Sequence, residues 1–258
     1  MSNNCHLSIC HNDSLMSLKS LKLITFDATN TLLKFRVPPE QFYAQIAKAH
    51  GFKGTEDEVK KKLKDNYNVM SEKHPNYGKA SILWENWWTE VVKMTLKDNV
   101  PVAANLDIIA STLIEEFKTP KCWCIANGVD KLLGEIKKQN ICVGIISNFD
   151  PRLYDILHNV SLSNNIDFVL TSYDIGYSKP DKRIFESAIN HCKSHVKPSE
   201  ALHVGDDLEK DYKGAKAAGW HAVLINPNMK TETPPECQHV FSSLEELYTS
   251  IEQQKLIL

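Results

Sequence analysis

The largely apolar segment Leu21–Phe26 ends abruptly at Asp27 and is followed by small polar residues. A segment of this kind predicts a buried strand that presents one carboxylate at its carboxyl end. Two later apolar runs end in the same way, one at Ser147 and the other at Asp206. Because ligands of open parallel sheets bind beyond the carboxyl ends of the strands, we expect these polar side chains to meet at one edge of a sheet.

The second half of the chain alternates between short apolar runs and longer segments with helical periodicity. This alternation is typical of parallel strands joined by right-handed helical crossovers. Strands are predicted at residues 141–146, 167–172, 201–205, 221–225 and 240–241, and helices at residues 129–136, 184–192, 211–218 and 244–253. The predicted fold class is therefore α/β, with a doubly wound parallel sheet as the core.

A block of purely helical periodicity interrupts this pattern and indicates an inserted all-helical cap. Within the block, the aromatic stripe of Trp84, Trp87 and Trp88 is interpreted as core packing in preference to a substrate-binding wall. The predicted division of the chain is a flexible tail at residues 1–20, a core domain at 21–37 and 119–258, and a cap domain at 38–118.

Composition excludes several classes of protein. Hydrophobic residues make up 42% of the 258 residues and charged residues 24%, which is typical of a folded globular protein. The net charge of −2 provides no general attraction to nucleic acid, and the lysines within Lys60–Lys64 are flanked by acids, as on a solvated helix face. The sequence contains no run of about 18 apolar residues, so we expect no association with a membrane.

Cysteine usage bears on the compartment in which the protein works. The seven cysteines are Cys5, Cys10, Cys122, Cys124, Cys142, Cys192 and Cys237. Their odd number and scattered spacing are typical of reduced thiols rather than of a disulfide framework. We therefore expect a cytoplasmic protein, with the nucleus as the open alternative.

The polar residues at the strand ends have a chemistry that suits phosphate. Asp27 is the candidate nucleophile, because a carboxylate can attack phosphorus once a cation screens the repulsion between two anions. Asp206 and Asp211 supply the hard oxygen ligands that Mg²⁺ prefers. The candidate phosphate-binding residues are Ser147, Asn148 and Lys179.

Four segments, taken in order, resemble the motifs of the haloacid dehalogenase-like hydrolase superfamily: residues 21–31, Ser147, Lys179-Pro180 and residues 205–211. Members of this superfamily usually transfer a phosphoryl group through an aspartyl-phosphate on a Rossmann-like core. The resemblance implies a small phosphorylated substrate and a bound Mg²⁺ ion. The implied catalytic residues are Asp27, Ser147 and Lys179, and the implied metal ligands are Asp27, Asp206, Asp211 and the backbone carbonyl of Thr29.

Thr29 departs from the pattern of the phosphatases in this superfamily. Those enzymes carry an aspartate two residues after the nucleophile, which protonates the leaving alcohol and then activates water. A threonine hydroxyl does not ionise near neutral pH, so it cannot supply this help, which is typically worth about 10²- to 10⁴-fold in rate. Two functions stay open: a slow Mg²⁺-dependent hydrolase of a phosphorylated metabolite, and a catalytically weak or inactive binding or regulatory protein.

Two other groups of the superfamily bear on this choice. The P-type ATPases carry a threonine at the same offset, and their aspartyl-phosphate persists, which implies an intermediate here that forms more readily than it breaks down. The haloacid dehalogenases also lack the second aspartate, but they work without Mg²⁺. The pair of acids Asp206 and Asp211 argues against a dehalogenase.

Further segments are similar to one branch of the superfamily, the type called haloacid dehalogenase-like hydrolase domain-containing protein three or rhythmically expressed gene two. These segments are His74–Gly78, Trp87-Trp88, Ser147–Asp150, Phe168–Ser172 and His203–Asp206. Members of this branch also lack the second aspartate.

Overall fold

Six parallel strands form the central sheet of the computed structural model, which describes residues 18–228 and 237–256. In chain order the strands are β1 (Leu23–Phe26), β2 (Leu33–Phe35), β3 (Trp123–Ile125), β4 (Cys142–Ser147), β5 (Phe168–Thr171), β6 (Ala201–Gly205), β7 (His221–Ile225) and β8 (Val240–Phe241). The parallel sheet has the order β5-β4-β1-β6-β7-β8, whereas β2 and β3 form a separate antiparallel pair. The predicted parallel α/β core is confirmed.

The centre of the sheet is β1, whose four residues are all buried, as expected of a parallel strand covered on both faces. Phe26 aligns with Ile145 on β4 and with Val204 on β6. Strands β4 and β5 lie on one side of β1, and β6 to β8 lie on the other. The order of the strands therefore reverses at β1, and the loop that begins with Asp27 lies at this switch point.

Helices cover both faces of the sheet. They are α1 (Pro39–Lys48), α2 (Glu56–Lys73), α3 (Trp84–Leu96), α4 (Leu106–Glu116), α5 (Val129–Lys138), α6 (Arg152–Asn159), α7 (Ser172–Ile175), α8 (Lys182–Ile189), α9 (Gly214–Ala217) and α10 (Leu244–Glu252). Helices α5, α6 and α10 share one apolar cluster with the sheet, and α8 and α9 share the other, which makes the core doubly wound. Across the described residues, no helix is both long and apolar enough to span a membrane.

The helices α1 to α4 lie between β2 and β3 in the chain and pack against one another. Helix α2 begins with a capping box in which Thr55 and Glu58 each bond the backbone N–H of the other. Trp87 on α3 is fully buried and donates its indole N–H to the carbonyls of Met70 and His74. Its interpretation as core packing is confirmed, and the domain status of this helical unit stays a prediction.

One predicted element differs from the observed one, and another falls mostly outside the described residues. The helix predicted to begin at Asp211 begins at Leu208 instead, because the Asp207 side chain caps it by accepting hydrogen bonds from the N–H groups of Glu209 and Lys210. Its first part, Leu208–Lys213, is a π-helix. The predicted tail at residues 1–20 lies mostly outside the described residues. Its last three residues form a short 3₁₀-helix.

Replacing Trp87 with alanine tests how far the helical unit depends on this ring. We expect a loss of about 3–5 kcal/mol in the free energy of unfolding, because the change leaves a cavity and two carbonyls without their donor. Urea unfolding followed by circular dichroism measures the loss. The control Val69→Ala, at a side chain that is 51% exposed, should change stability by less than about 0.5 kcal/mol. Equal effects of the two substitutions would contradict the expectation.

Candidate active site

The carboxylate of Asp27 lies just after β1 and forms an ion pair with Lys179. The Lys179 Nζ atom is 2.6 Å from Asp27 Oδ1 and 2.6 Å from Asp211 Oδ1. All three residues are buried, with Lys179 only 3% exposed. The fold thus brings together three residues that were predicted from distant parts of the chain, and one ammonium group is shared by two carboxylates.

Lys179 is fixed in place by the loop after β4. The Asn148 side chain accepts a 2.7 Å hydrogen bond from the backbone N–H of Lys179 and donates a 2.9 Å bond to its carbonyl. The Lys179 Nζ atom also donates to the carbonyl of Ile146 at 2.7 Å. The Asn148 side chain, predicted as a phosphate donor, therefore has a structural role at Lys179, and its phosphate role stays a prediction.

Asp211 is held by side chains and backbone together. His203 Nε2 lies 3.2 Å from Asp211 Oδ1, and His203 Nδ1 lies 2.8 Å from the Thr25 hydroxyl. The backbone N–H of Asp207 donates to Asp211 Oδ2 at 3.0 Å. A Cβ atom on Gly205 would lie 2.3 Å from the Asp211 carboxylate, so the close approach requires glycine.

The sequence analysis did not identify His203 as a residue of the site. Its side chain is fully buried, and burial lowers the pKa of the imidazole, which is therefore neutral near pH 7. A signal for its role does exist in the sequence, because a histidine inside a fully apolar strand needs a buried hydrogen-bond partner.

Three carboxylates of the site converge closely enough to bind one cation. One oxygen atom from each of Asp27, Asp206 and Asp211 lies within 4.8 Å of the other two. Hard oxygen ligands at this spacing fit Mg²⁺, which needs few protein carboxylates because it retains several waters. Asp206 is half-buried and accepts a 3.4 Å hydrogen bond from the Thr31 hydroxyl. The donor set therefore fits the predicted magnesium ion.

The close charges shift the pKa values of the carboxyl groups in different directions. Burial raises the pKa of Asp27, and Lys179 opposes this shift while Asp211 reinforces it. Burial and the charge of Asp211 also raise the pKa of Asp206. Burial would raise the pKa of Asp211 as well, but the ammonium of Lys179 and the bond from His203 lower it overall. Of the three carboxyl groups, Asp211 is therefore the one that stays ionised to the lowest pH. A bound cation would reduce the electrostatic repulsion that Asp27 and Asp206 experience.

Two neighbouring cavities lie at the site, and they share part of their walls. The smaller, of about 220 Å³, is lined by the acidic residues together with Ser147 and Lys179. The larger, of about 470 Å³, is lined mainly by aromatic and aliphatic side chains of α1 to α4 and of the core. Thr29 and Asn148 line both cavities. The position that lacks an acid therefore lies between the carboxylates and the apolar space.

Two aromatic residues of the helical unit reach the loop that follows β4. The Tyr77 hydroxyl donates a 2.8 Å hydrogen bond to the carbonyl of Asn148, and the Trp88 indole N–H donates a 2.7 Å bond to the Asp150 carboxylate. Both rings also line the larger cavity. For Trp88, unlike Trp87, the interpretation as core packing alone is therefore incomplete.

Replacing Lys179 with methionine should destabilise the protein by about 3–5 kcal/mol near pH 7, because two buried carboxylates lose their counterion. The loss should shrink as the pH falls from 7.5 to 5. The pKa of Asp27 already lies above 3.8 in the folded protein and should rise further in the variant, so the folded state takes up a proton that the unfolded state does not. Urea unfolding of the natural protein and the variant at both pH values, in metal-free buffer, measures the loss of stability and its pH dependence.

The matched control for this experiment is Lys210→Met, which breaks an exposed 2.7 Å ion pair with Asp207 at the same edge of the sheet. Because exposed pairs contribute little, it should change stability by less than about 1 kcal/mol. A loss for Lys179→Met that is equally small, or that does not depend on pH, would contradict the interpretation of Lys179 as an essential buried counterion.

Comparison with known proteins places this geometry in a family. The model of the haloacid dehalogenase-like hydrolase family matches residues 21–219. The rhythmically expressed gene 2 protein of Drosophila melanogaster is 34% identical over 253 residues, with 92% of this chain and 97% of the relative covered. Haloacid dehalogenase-like hydrolase domain-containing protein 3 of Bos taurus is 35% identical over 240 residues, with 90% and 94% covered. The predicted resemblance to this branch is confirmed.

The fold is shared with solved structures as well. The structure of a defluorinating L-2-haloacid dehalogenase aligns with a TM-score of 0.72 and covers 92% of this chain and 99% of its own. Its sequence is only 14% identical, so this likeness concerns the fold alone. From the family match and the two relatives, we conclude that the chain belongs to the haloacid dehalogenase-like hydrolase family.

Proposed function

We propose that this protein is a Mg²⁺-dependent hydrolase that acts slowly on a small phosphorylated metabolite through an aspartyl-phosphate at Asp27. The observation that carries this proposal is the convergence of Lys179 and three carboxylates around one point beside Asp27. A nucleophile, a fixed ammonium and a divalent-ion site are the groups that phosphoryl transfer requires.

The proposed reaction divides the work among a few side chains. An Asp27 oxygen attacks phosphorus, the new O–P bond forms, and the bond from phosphorus to the ester oxygen breaks. Lys179 opposes the rise in the pKa of Asp27 and stabilises the charge on the phosphoryl oxygens, to which the Ser147 hydroxyl and Asn148 donate hydrogen bonds. Asp27, Asp206, Asp211 and the Thr29 carbonyl would hold Mg²⁺, which neutralises negative charge on the phosphoryl group when bound.

Thr29 limits the rate of this reaction. Its hydroxyl cannot protonate the leaving alcohol or deprotonate the attacking water, so water itself has to exchange both protons. The second step, in which water attacks phosphorus and the bond to Asp27 breaks, should therefore be slow. Because Thr29 cannot act as an acid or a base, a second function is also considered: a domain that binds a phosphorylated ligand without turnover.

The same proposal includes an assignment of domains, a cellular compartment and partners. We assign residues 38–118 to a cap over the core formed by 21–37 and 119–258, because residues of α1 to α4 and of the core together line a cavity that reaches Thr29. None of the five cysteines within the described part of the chain forms a disulfide, which supports a reducing compartment such as the cytoplasm or the nucleus. Neither a nucleic acid nor a membrane is a proposed partner.

Replacing Thr29 with aspartate should raise the rate of phosphate release by about 10²-fold or more, because it supplies the missing acid and base. Phosphate release is measured from a panel of phosphate esters in the presence of Mg²⁺. Thr29→Asn is the matched control, since it has the shape of aspartate but does not ionise, and it should give no gain.

The gain from Thr29→Asp should disappear when Asp27→Asn is added, because the nucleophile is then lost. If neither the natural protein nor Thr29→Asp releases phosphate, and Asp27 does not trap beryllium fluoride, the hydrolase proposal is wrong. The binding function would then be the better explanation of the fold.

Magnesium binding can be tested without any substrate. Mg²⁺ should raise the melting temperature, because a cation that binds only the folded state stabilises it by about 2.7 kcal/mol at one hundred times its dissociation constant. Asp206→Asn should remove most of this shift. Thermal unfolding in MgCl₂ is compared with NaCl of equal ionic strength, and equal shifts in the two proteins would exclude Asp206 as a ligand.

A further inference from the structure

The larger cavity adjoins the proposed reaction centre, because Thr29 and Asn148 belong to the walls of both. Its volume of about 470 Å³ falls within the range of about 300–1,000 Å³ that is typical of ligand sites. A phosphate ester attacked by Asp27 would place its alcohol portion on the side of Thr29, since that residue stands where the leaving oxygen departs in the proposed reaction.

The aromatic walls of this cavity present carbon rather than hydrogen-bonding atoms. The indole N–H of Trp88 is bonded to Asp150 at 2.7 Å, and that of Trp123 to the carbonyl of Phe117 at 2.7 Å. The Tyr77 hydroxyl is bonded to a backbone carbonyl. Because the polar atoms of these rings already have partners, a ligand meets mainly ring faces and edges.

Most charged residues at the cavity are paired, and Lys64, which also lines it, is exposed to solvent. Arg152 forms a buried two-point pair with Asp150, with Nε at 2.9 Å and Nη2 at 2.7 Å from its oxygens. Glu40 and Lys60 form a 3.3 Å ion pair. The Tyr43 hydroxyl is uncharged near neutral pH, and burial raises its pKa further. The walls thus provide little compensation for a ligand that carries many hydroxyl groups.

We propose that the substrate is a phosphate monoester of an apolar, ring-bearing alcohol rather than a sugar phosphate, an inference that rests on the proposed hydrolase function. The volume is about three times that of a cavity of ~150 Å³ that holds one benzene molecule, so two fused or linked rings fit. A sugar would lose water from its hydroxyl groups and meet few hydrogen-bonding partners in the mainly apolar walls, whereas an aromatic ring gains contact with Trp88, Trp123 and Phe149.

Uncleavable ligands test the cavity separately from the chemistry. Calorimetry in Mg²⁺ compares 3-phenylpropylphosphonate and 3-(2-naphthyl)propylphosphonate with propylphosphonate, whose charged groups are identical. We expect the aryl ligands to bind about 10- to 100-fold more tightly, which is the gain for burying one large apolar side chain. The methylene phosphonate analogue of glucose 6-phosphate, which cannot be hydrolysed, should bind no more tightly than propylphosphonate. Equal affinities of the aryl and propyl ligands would overturn the inference.

Matched substitutions on α2 locate the binding. Leu63 lines the cavity, whereas Val69 on the same helix is exposed and lies outside it. Leu63→Trp should abolish the advantage of the aryl ligands and leave propylphosphonate unaffected, which also shows that the variant is folded. Val69→Trp should change neither. An aryl preference that survives Leu63→Trp would place the binding elsewhere and overturn the inference.

Turnover separates this inference from the proposed function. The phosphate esters of ethanol, 2-phenylethanol and 2-(2-naphthyl)ethanol have similar leaving groups, so differences in kcat/KM report the fit of the organic portion. Higher kcat/KM for the aryl esters supports both proposals. Release of phosphate from all three esters at equal kcat/KM supports the hydrolase and overturns the aryl preference. Selective phosphonate binding without any phosphate release supports the cavity assignment and overturns the hydrolase.

Discussion

The burial of one ammonium group between two carboxylates is the constraint on which this site depends. Transfer of Lys179, Asp27 and Asp211 out of water is unfavourable, and their attraction offsets it only when the geometry is tight and the other polar atoms are bonded. The surrounding contacts meet this requirement, because Asn148 fixes the Lys179 backbone and His203 bonds Asp211. The buried ion pairs at this edge of the sheet therefore depend on the hydrogen bonds that surround them.

The switch point at β1 and the helical unit α1 to α4 create two unlike environments side by side. Beside Asp27 the carboxylates outnumber the single buried ammonium, which favours a divalent cation and an anionic group bound to it. Beyond Thr29 the walls are mainly aromatic and aliphatic. A ligand with a phosphate at one end and an apolar body at the other complements both environments. The residue between the two environments is Thr29, which has no ionisable group near neutral pH.

Sequence patterns predicted the strands of the parallel sheet and the site residues that follow them directly, but not the antiparallel pair β2 and β3. Asp27 and Asp206 could be placed because each ends an apolar run, and a parallel strand has its carboxyl end at the ligand-binding edge. The start of the helix near Asp211 was less predictable, since the cap at Asp207 competes with ordinary helical periodicity. The double role of the aromatic stripe was also missed, because periodicity places Trp87 and Trp88 on a helix but does not say which ring meets a cavity.

The sequence alone determined the order of the strands along the chain, the acids that end them and the threonine at position 29, since apolar runs and residue types are local properties. The tertiary structure alone decided that Asn148 holds Lys179, 31 positions away, and that Thr25 holds His203, 178 positions away. Such contacts depend on the register of neighbouring strands and on the packing of the helices above them. No local pattern encodes either, because each arises only when segments far apart in the chain compete for the same buried space.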